Sequence, residues 1–275
     1  MSSSCVTNRH LRRLTYNGVK QEAWAERFLN LLAVDKRCAN LACHKSKSLK
    51  KELVEGVSII ERVEHLLLKL CQENTEIDSA TGEGLLLLDM CSGKGIAATM
   101  LAVRFPKAKV VGIDIRPPSP TEQHLEDGFL PNLIRRTGNV YDDELLHEIV
   151  TCLIPANGTC IVLGTHLCGD LSRVAVDLFD RYPEKITAAV IAPCCLQRQK
   201  APTGSKSFSG KDWGYDTRKA AQELGIDPFS LWIERLRSRT SAPNFQKKIV
   251  FDHDMLTNKN AYLLICRAGI DEDGN

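Results

Sequence analysis

GLLLLDMCSGKGIAATMLAVRFPKAKVVGIDI, residues Gly84 to Ile115, is the stretch that decides how this chain folds. Leu85 to Leu88 are consecutive apolar residues opening onto Asp89; a turn with Gly93 and Gly95 follows, then apolar residues at helical spacing. That order predicts strand, glycine loop and helix. Pro106 stops the helix, and a second apolar run, Val110 to Ile115 with Asp114 near its end, predicts a second strand. Two strands flanking one helix make a βαβ unit, parallel and right-handed.

Such a unit places chemistry at the carboxyl edge of the sheet. Gly93 and Gly95 lack a Cβ, so the backbone can turn tightly and a ligand can approach it near the positive end of the helix. Asp114, at the end of the second strand, can accept hydrogen bonds from both hydroxyls of a ribose. The dinucleotide fingerprint GxGxxG is incomplete, because its third position is Ala98. The series Asp89-x-Cys91-x-Gly93-x-Gly95 with a later strand-end acid instead resembles the class I methyltransferases that use S-adenosyl-L-methionine. The resemblance implies that cofactor, with Asp89 orienting its methionine portion, the loop from Cys91 to Gly95 cradling the sulfonium compound, and Asp114 and Ile115 at the adenosine. Members usually carry glycine where this chain has Cys91, which predicts a slightly wider loop. A plain βαβ turn without ligand would use the same residues.

With 275 residues the chain can bury a full core, and its 43% hydrophobic and 25% charged residues suit an ordinary globular protein. No run of about 18 apolar residues occurs, so no membrane span is expected. The 11 cysteines read as reduced thiols of an intracellular protein rather than a disulfide scaffold. A cytoplasmic location is expected; the basic, serine-bearing first 21 residues also fit a mitochondrial presequence or an RNA-contacting tail. The net charge of +2 conceals an asymmetry: residues 1–70 and 196–250 are each net +6, and residues 71–195 are net −7. Basic segments around an acidic cofactor domain suit a polyanion such as RNA, although solvated helix faces give the same counts.

The chain divides into an N-terminal helical extension, residues 1–80, and a catalytic domain, residues 81–268. Helices are predicted over 21–34 and from Leu49 to Gln72, the second with Leu53, Val57, Ile60, Val63, Leu67 and Leu70 at helical period behind a cluster of lysines. Cys38, Cys43 and His44 match no common zinc spacing and read as buried thiols with a histidine. A short helix is expected around Thr121 to Glu126. A third strand is expected from Leu133 to Val140; in the resembled family Asn139 and Val140 would meet the adenine, while Asn139 also suits a turn. Asp142 caps a helix through Leu153, and strands follow at Cys160 to Leu163 and Ala188 to Ala192 around a helix from Leu171 to Asp180. Lys211 to Ser238 predicts two short helices whose Trp213, Tyr215, Trp232, Arg235, Arg237 and Arg239 suit either base stacking with phosphate contact or a core. Lys247 to Asp252 and Ala261 to Arg267 predict a closing antiparallel pair. The fold class is thus α/β, a seven-stranded, mostly parallel, Rossmann-like sheet of order 3-2-1-4-5-7-6.

Strands four and five end in His166-Leu167-Cys168-Gly169 and Pro193-Cys194-Cys195. This pair resembles a methyltransferase subgroup that includes the tRNA 2′-O-methyltransferases of the Trm-thirteen type and glutathione-S-transferase C-terminal-domain-containing proteins, over residues 84–267. It implies RNA, with tRNA first, as methyl acceptor, and His166, Cys168, Cys194 and Cys195 as candidate catalytic residues facing each other across the methyl group. His166 can orient or deprotonate an acceptor, and positioning carries most of such a transfer. Covalent attack by a cysteine on a pyrimidine, zinc ligation and a structural role use the same residues; no metal is expected. The acceptor alternatives are a small molecule or a protein, and a catalytically inactive domain serving as a partner platform is the non-enzymatic one.

Overall fold

The computed structural model describes residues 9–15, 22–38, 46–119, 122, 128–194, 196, 213–240, 245–257 and 260–267. Its centre is a seven-stranded sheet of order β3-β2-β1-β4-β5-β7-β6, as expected. The strands are β1 (Leu85–Met90), β2 (Lys109–Asp114), β3 (Leu133–Thr137), β4 (Thr159–Leu167), β5 (Ile186–Pro193), β6 (Gln246–Phe251) and β7 (Ala261–Cys266). β1 to β5 pair in parallel, and β7 runs antiparallel to both β5 and β6. The helices are α1 (Arg9–Thr15), α2 (Ala23–Val34), α3 (Ser46–Glu73), α4 (Ile96–Arg104), α5 (Asp143–Glu148), α6 (Asp170–Arg181), α7 (Trp213–Leu224) and α8 (Pro228–Arg239). Among the described residues no helix is long and apolar enough to cross a membrane.

The run of leucines in β1 follows from its position. A central parallel strand is covered on both faces, so it reads as continuous apolar residues rather than alternating ones. Leu85 and Leu87 enter the core under α3 and α4, whereas Leu86, Leu88 and Met90 enter the opposite core under α6 and α8. At the edge, β6 is only half-buried and carries Lys247 and Lys248, which discourage pairing with another chain.

Helices α1, α2 and α3 contribute Leu14, Trp24, Phe28, Val57, Ile60, Val63 and Leu67 to the same core as β1 and α4. α3 lies close along α4: a Cβ on Gly56 would come within 2.4 Å of the Met100 sulfur. At its amino end Glu52 pairs with Lys94 of the glycine loop at 3.6 Å. α1 is pinned by a buried polar knot. His10 Nε2 lies 3.0 and 2.9 Å from the Asp252 carboxylate oxygens, Ser58 Oγ donates to Oδ2 at 2.5 Å, and Arg62 reaches the same oxygen at 3.0 Å. Burial opposes charge on His10, but Asp252 and Glu61 outweigh it and raise its pKa above the usual imidazole value. Asp252, likewise opposed by burial, is held well below the usual carboxylate range by His10, Ser58 and Arg62.

Several boundaries differ from expectation. β3 stops at Thr137, so Asn139 and Val140 lie in the turn beyond it. β4 continues through Gly164 to Leu167, with a bulge between those residues that seats the Leu167 side chain where a Gly164 Cβ would stand, 2.4 Å away. The helix expected from Asp142 to Leu153 is a short α5 that passes into a π turn, Ile149–Leu153. The helix expected around Thr121 to Glu126, together with Cys43, His44 and the first eight residues, lies outside the described residues apart from Glu122.

Candidate active site at the carboxyl edge of the sheet

β1, β2, β4 and β5 end side by side, and the turns that leave them bring most of the expected residues to one rim. Asp89, 1% exposed, is the penultimate residue of β1. Cys91 follows in the left-handed region at φ 59°, a conformation that suits the glycine usual in the resembled family, and here it carries a half-buried thiol. Burial, then Asp114 and Asp89, push that thiol up to about 12, away from the reactive thiolate form. Gly93 and Gly95 also have positive φ, 55° and 71°, and Gly95 caps α4. A Cβ on Gly93 would meet none of the described residues within 4 Å, so the loop has an open face.

Asp114 faces this loop. Its Oδ2 accepts the Gly93 N–H at 2.8 Å and its Oδ1 accepts the Arg116 N–H at 2.9 Å. Each oxygen retains lone-pair capacity for a ligand hydroxyl. Ile115, next in the chain, is 71% exposed beside it. Sequence reasoning missed the residue that braces this corner, Arg135 in β3. Its guanidinium donates to Ser92 Oγ and, at 3.2 Å, to the Arg116 carbonyl, and it lies 3.9 Å from Asp114. Burial disfavours its charge and lowers its pKa below the ordinary arginine value, with Asp114 as the nearest countercharge. Gly112 makes room for this arrangement, since a Cβ there would stand 2.8 Å from Ser92 Oγ. The visible signal was the charged pair Arg135-Arg136 inside an otherwise apolar strand. Arg116 is held in turn by Glu122, with two contacts of 2.9 Å.

Asn139 and Val140 divide. The Asn139 side-chain oxygen accepts the Tyr141 N–H at 3.1 Å, which is the turn role, and Val140 is buried in the core under α6 and α8. Tyr141 is a second residue the sequence did not single out. Burial, then Asp170 at the start of α6, push its phenol up to about 12.

On the other side of the rim, Leu167 pairs with Pro193, and the cysteines that follow each meet: Cys168 Sγ and Cys194 Sγ are 2.7 Å apart. The backbone of His166 belongs to β4, while its side chain and all of Cys195 lie outside the described residues. Of the aromatic and basic residues expected in α7 and α8, the side chain of Trp213 lies outside the described residues, and those of α8 are engaged within the protein. Trp232 is fully buried in the core, and Arg235, Arg237 and Arg239 engage Thr217, Glu234 and Asp177. No described group of three or more His, Cys, Asp or Glu is arranged to hold a metal ion.

No protein-family model matches the chain, and no curated protein sequence does. Among solved structures, the plantazolicin methyltransferase BpumL in complex with SAH is 14% identical, with 87% of this chain and 93% of that one covered at a TM-score of 0.42. The plantazolicin methyltransferase BamL, bound to a triazolic analogue and SAH, is 11% identical over 88% and 94% of the two chains at 0.45. An rRNA methylase from Streptococcus thermophilus is 10% identical over 77% and 95% at 0.39. The architecture of this chain rests on its own strand order rather than on these likenesses.

Proposed function

We propose that this chain is a methyltransferase that uses S-adenosyl-L-methionine and acts on RNA, with tRNA as the first acceptor to try. The observation that carries the cofactor assignment is the Gly93 to Asp114 hydrogen bond of 2.8 Å beside the open face of the glycine loop. It fixes an acceptor carboxylate beside a loop that is open at Gly93, at one corner of a 3-2-1-4-5-7-6 sheet. When bound, the cofactor supplies a methyl group already activated on a sulfonium. Asp114 would hold the ribose hydroxyls, Ile115 would cover one face of the adenine, and Gly93 and Gly95 would leave room for the body of the cofactor. Asp89, buried near the end of β1, would orient the methionine portion through the Cys91 loop.

Transfer of this kind asks the protein chiefly for alignment and exclusion of water. The ends of β4 and β5, with Cys168 and Cys194 in contact, form the wall against which an acceptor would be aligned, and His166 in β4 is the group to take the proton it releases. RNA as acceptor is supported by the lysines at the start of α3: Lys50 and Lys51 lie within one turn of Glu52, which contacts the glycine loop through Lys94. Calorimetric titration with S-adenosylhomocysteine tests the cofactor site, and micromolar binding is the expected result. Incubation with labelled methyl donor and total RNA then tests the acceptor. Label in protein or metabolites with none in RNA replaces the RNA assignment, and absence of binding removes the enzymatic one.

A further inference from the structure

The contact between Cys168 and Cys194 carries a second assignment. Their sulfurs are 2.7 Å apart, against roughly 2.04 Å in a formed disulfide. The preceding residues, Leu167 and Pro193, are register partners on neighbouring parallel strands, which lie about 4.8 Å apart. Disulfide-linked residues have Cα atoms about 4.4–6.8 Å apart, so adjoining strand ends suit the link without moving the backbone. Access distinguishes this pair from the interior thiols: Cys168 is exposed and Cys194 half-buried, whereas Cys38, Cys160 and Cys266 are buried. Exposed thiols are the ones that oxidants reach.

We propose that Cys168 and Cys194 are a modification site, a reversible disulfide that ties the end of β4 to the end of β5. A hydroperoxide is the oxidant. The Cys168 sulfur attacks one peroxide oxygen, the O–O bond breaks, and a sulfenic acid forms with release of water or alcohol. The Cys194 sulfur then attacks the oxidised sulfur, the S–S bond forms, and the S–O bond breaks with release of water. Two thiols lose two electrons and two protons in all, and the hydroperoxide is reduced. A small thiol returns the pair by exchange. The link would sit on the acceptor side of the rim, so oxidation would tie together the two strand ends that form that wall.

The test uses the full chain, reduced, desalted and exposed to hydrogen peroxide at neutral pH, then alkylated with iodoacetamide and digested without reductant. Mass spectrometry is expected to find a peptide pair joined through Cys168 and Cys194, lighter by two hydrogens and absent after dithiothreitol. Cys194→Ser is expected to abolish the pair, and Cys195→Ser to retain it. Alkylation of both Cys168 and Cys194 in the peroxide-treated protein overturns the proposal, as does a link from Cys168 to Cys195 or to Cys91. The wild-type map needs no variant to fold and no methyl transfer, so it fails or stands separately from the function proposed above.

Discussion

At Gly93, backbone conformation and ligand space can be separated by one substitution. The left-handed φ of 55° means that alanine there costs about 1 kcal/mol in backbone strain, while the described protein atoms leave its Cβ room. Gly93→Ala is therefore expected to lower Tm by only about 2–4 °C. Its affinity for S-adenosylhomocysteine should nevertheless fall more than tenfold, because the methyl would stand on the loop's open face. Equal affinity for the two proteins in calorimetry would show that the open face is not where the cofactor lies. Asp114→Asn makes the complementary case: it keeps the shape and one acceptor oxygen, so the fold should persist while binding weakens at least tenfold. The glycines and the acid were legible because each is a single residue type required at a single kind of backbone position. Arg135 was not, because its importance comes from Ser92 and Asp114, 43 and 21 residues earlier in the chain, and no local pattern announces such partners.

Among the elements, α1 offers the sharpest stability test. His10→Ala breaks a buried charge pair and leaves the Asp252 carboxylate to Ser58, Arg62, the Asp254 N–H and, at 3.8 Å, Arg9, a loss on the order of 3 kcal/mol. Because the folded state raises the pKa of His10, this contribution is complete below the ordinary value of about 6.5 and is lost as pH rises through the higher folded value. Urea midpoints of wild type and His10→Ala should therefore differ most at pH 6 and converge as the pH is raised through the folded-state value; a gap independent of pH would mean that packing alone holds the helix. Two glycines provide a contrast in close approach. A Cβ on Gly158 would meet the Gly84 carbonyl oxygen at 2.3 Å, a backbone atom held by the β1–β4 pairing, whereas one on Gly56 meets the mobile end of Met100. Gly158→Ala should thus be markedly destabilising in a thermal melt, and Gly56→Ala close to neutral, since the gain of about 1 kcal/mol in helix propensity offsets the shift of a flexible side chain. Periodicity located α2, α3 and the strands to within a few residues. The π turn after α5 and the bulge in β4 were invisible to it, because each answers packing across the sheet rather than local preference.

For the whole molecule, the charge asymmetry reads differently once folded. The arginines of α8 that looked available to a phosphate chain are engaged within the protein, and at the start of α3 Lys51 likewise pairs with Glu55, at 3.5 Å, so the RNA assignment rests there on Lys50 and on what a phosphate can draw from that surface pair. Replacing Lys50 and Lys51 together by glutamate is expected to lower kcat/KM for RNA about tenfold and to flatten its salt dependence, leaving the affinity for S-adenosylhomocysteine unchanged. An unchanged kcat/KM would move the polyanion surface elsewhere or point to a small acceptor. The strand order was expected only because the motifs at the ends of β1, β2, β4 and β5 occur in a recognisable series; composition alone would have led no further than α/β.

The knot that secures α1 also sets an order of assembly. His10 and Asp252 are separated by 242 positions, so a helix made among the first residues finds its anchor only when the β6–β7 hairpin has left the ribosome. Until then its imidazolium has only Glu61 of α3, at 3.4 Å, among the described carboxylates that face it, and a chain shortened before Asp252 should hold α1 more loosely, and so more open to protease, than the full chain does.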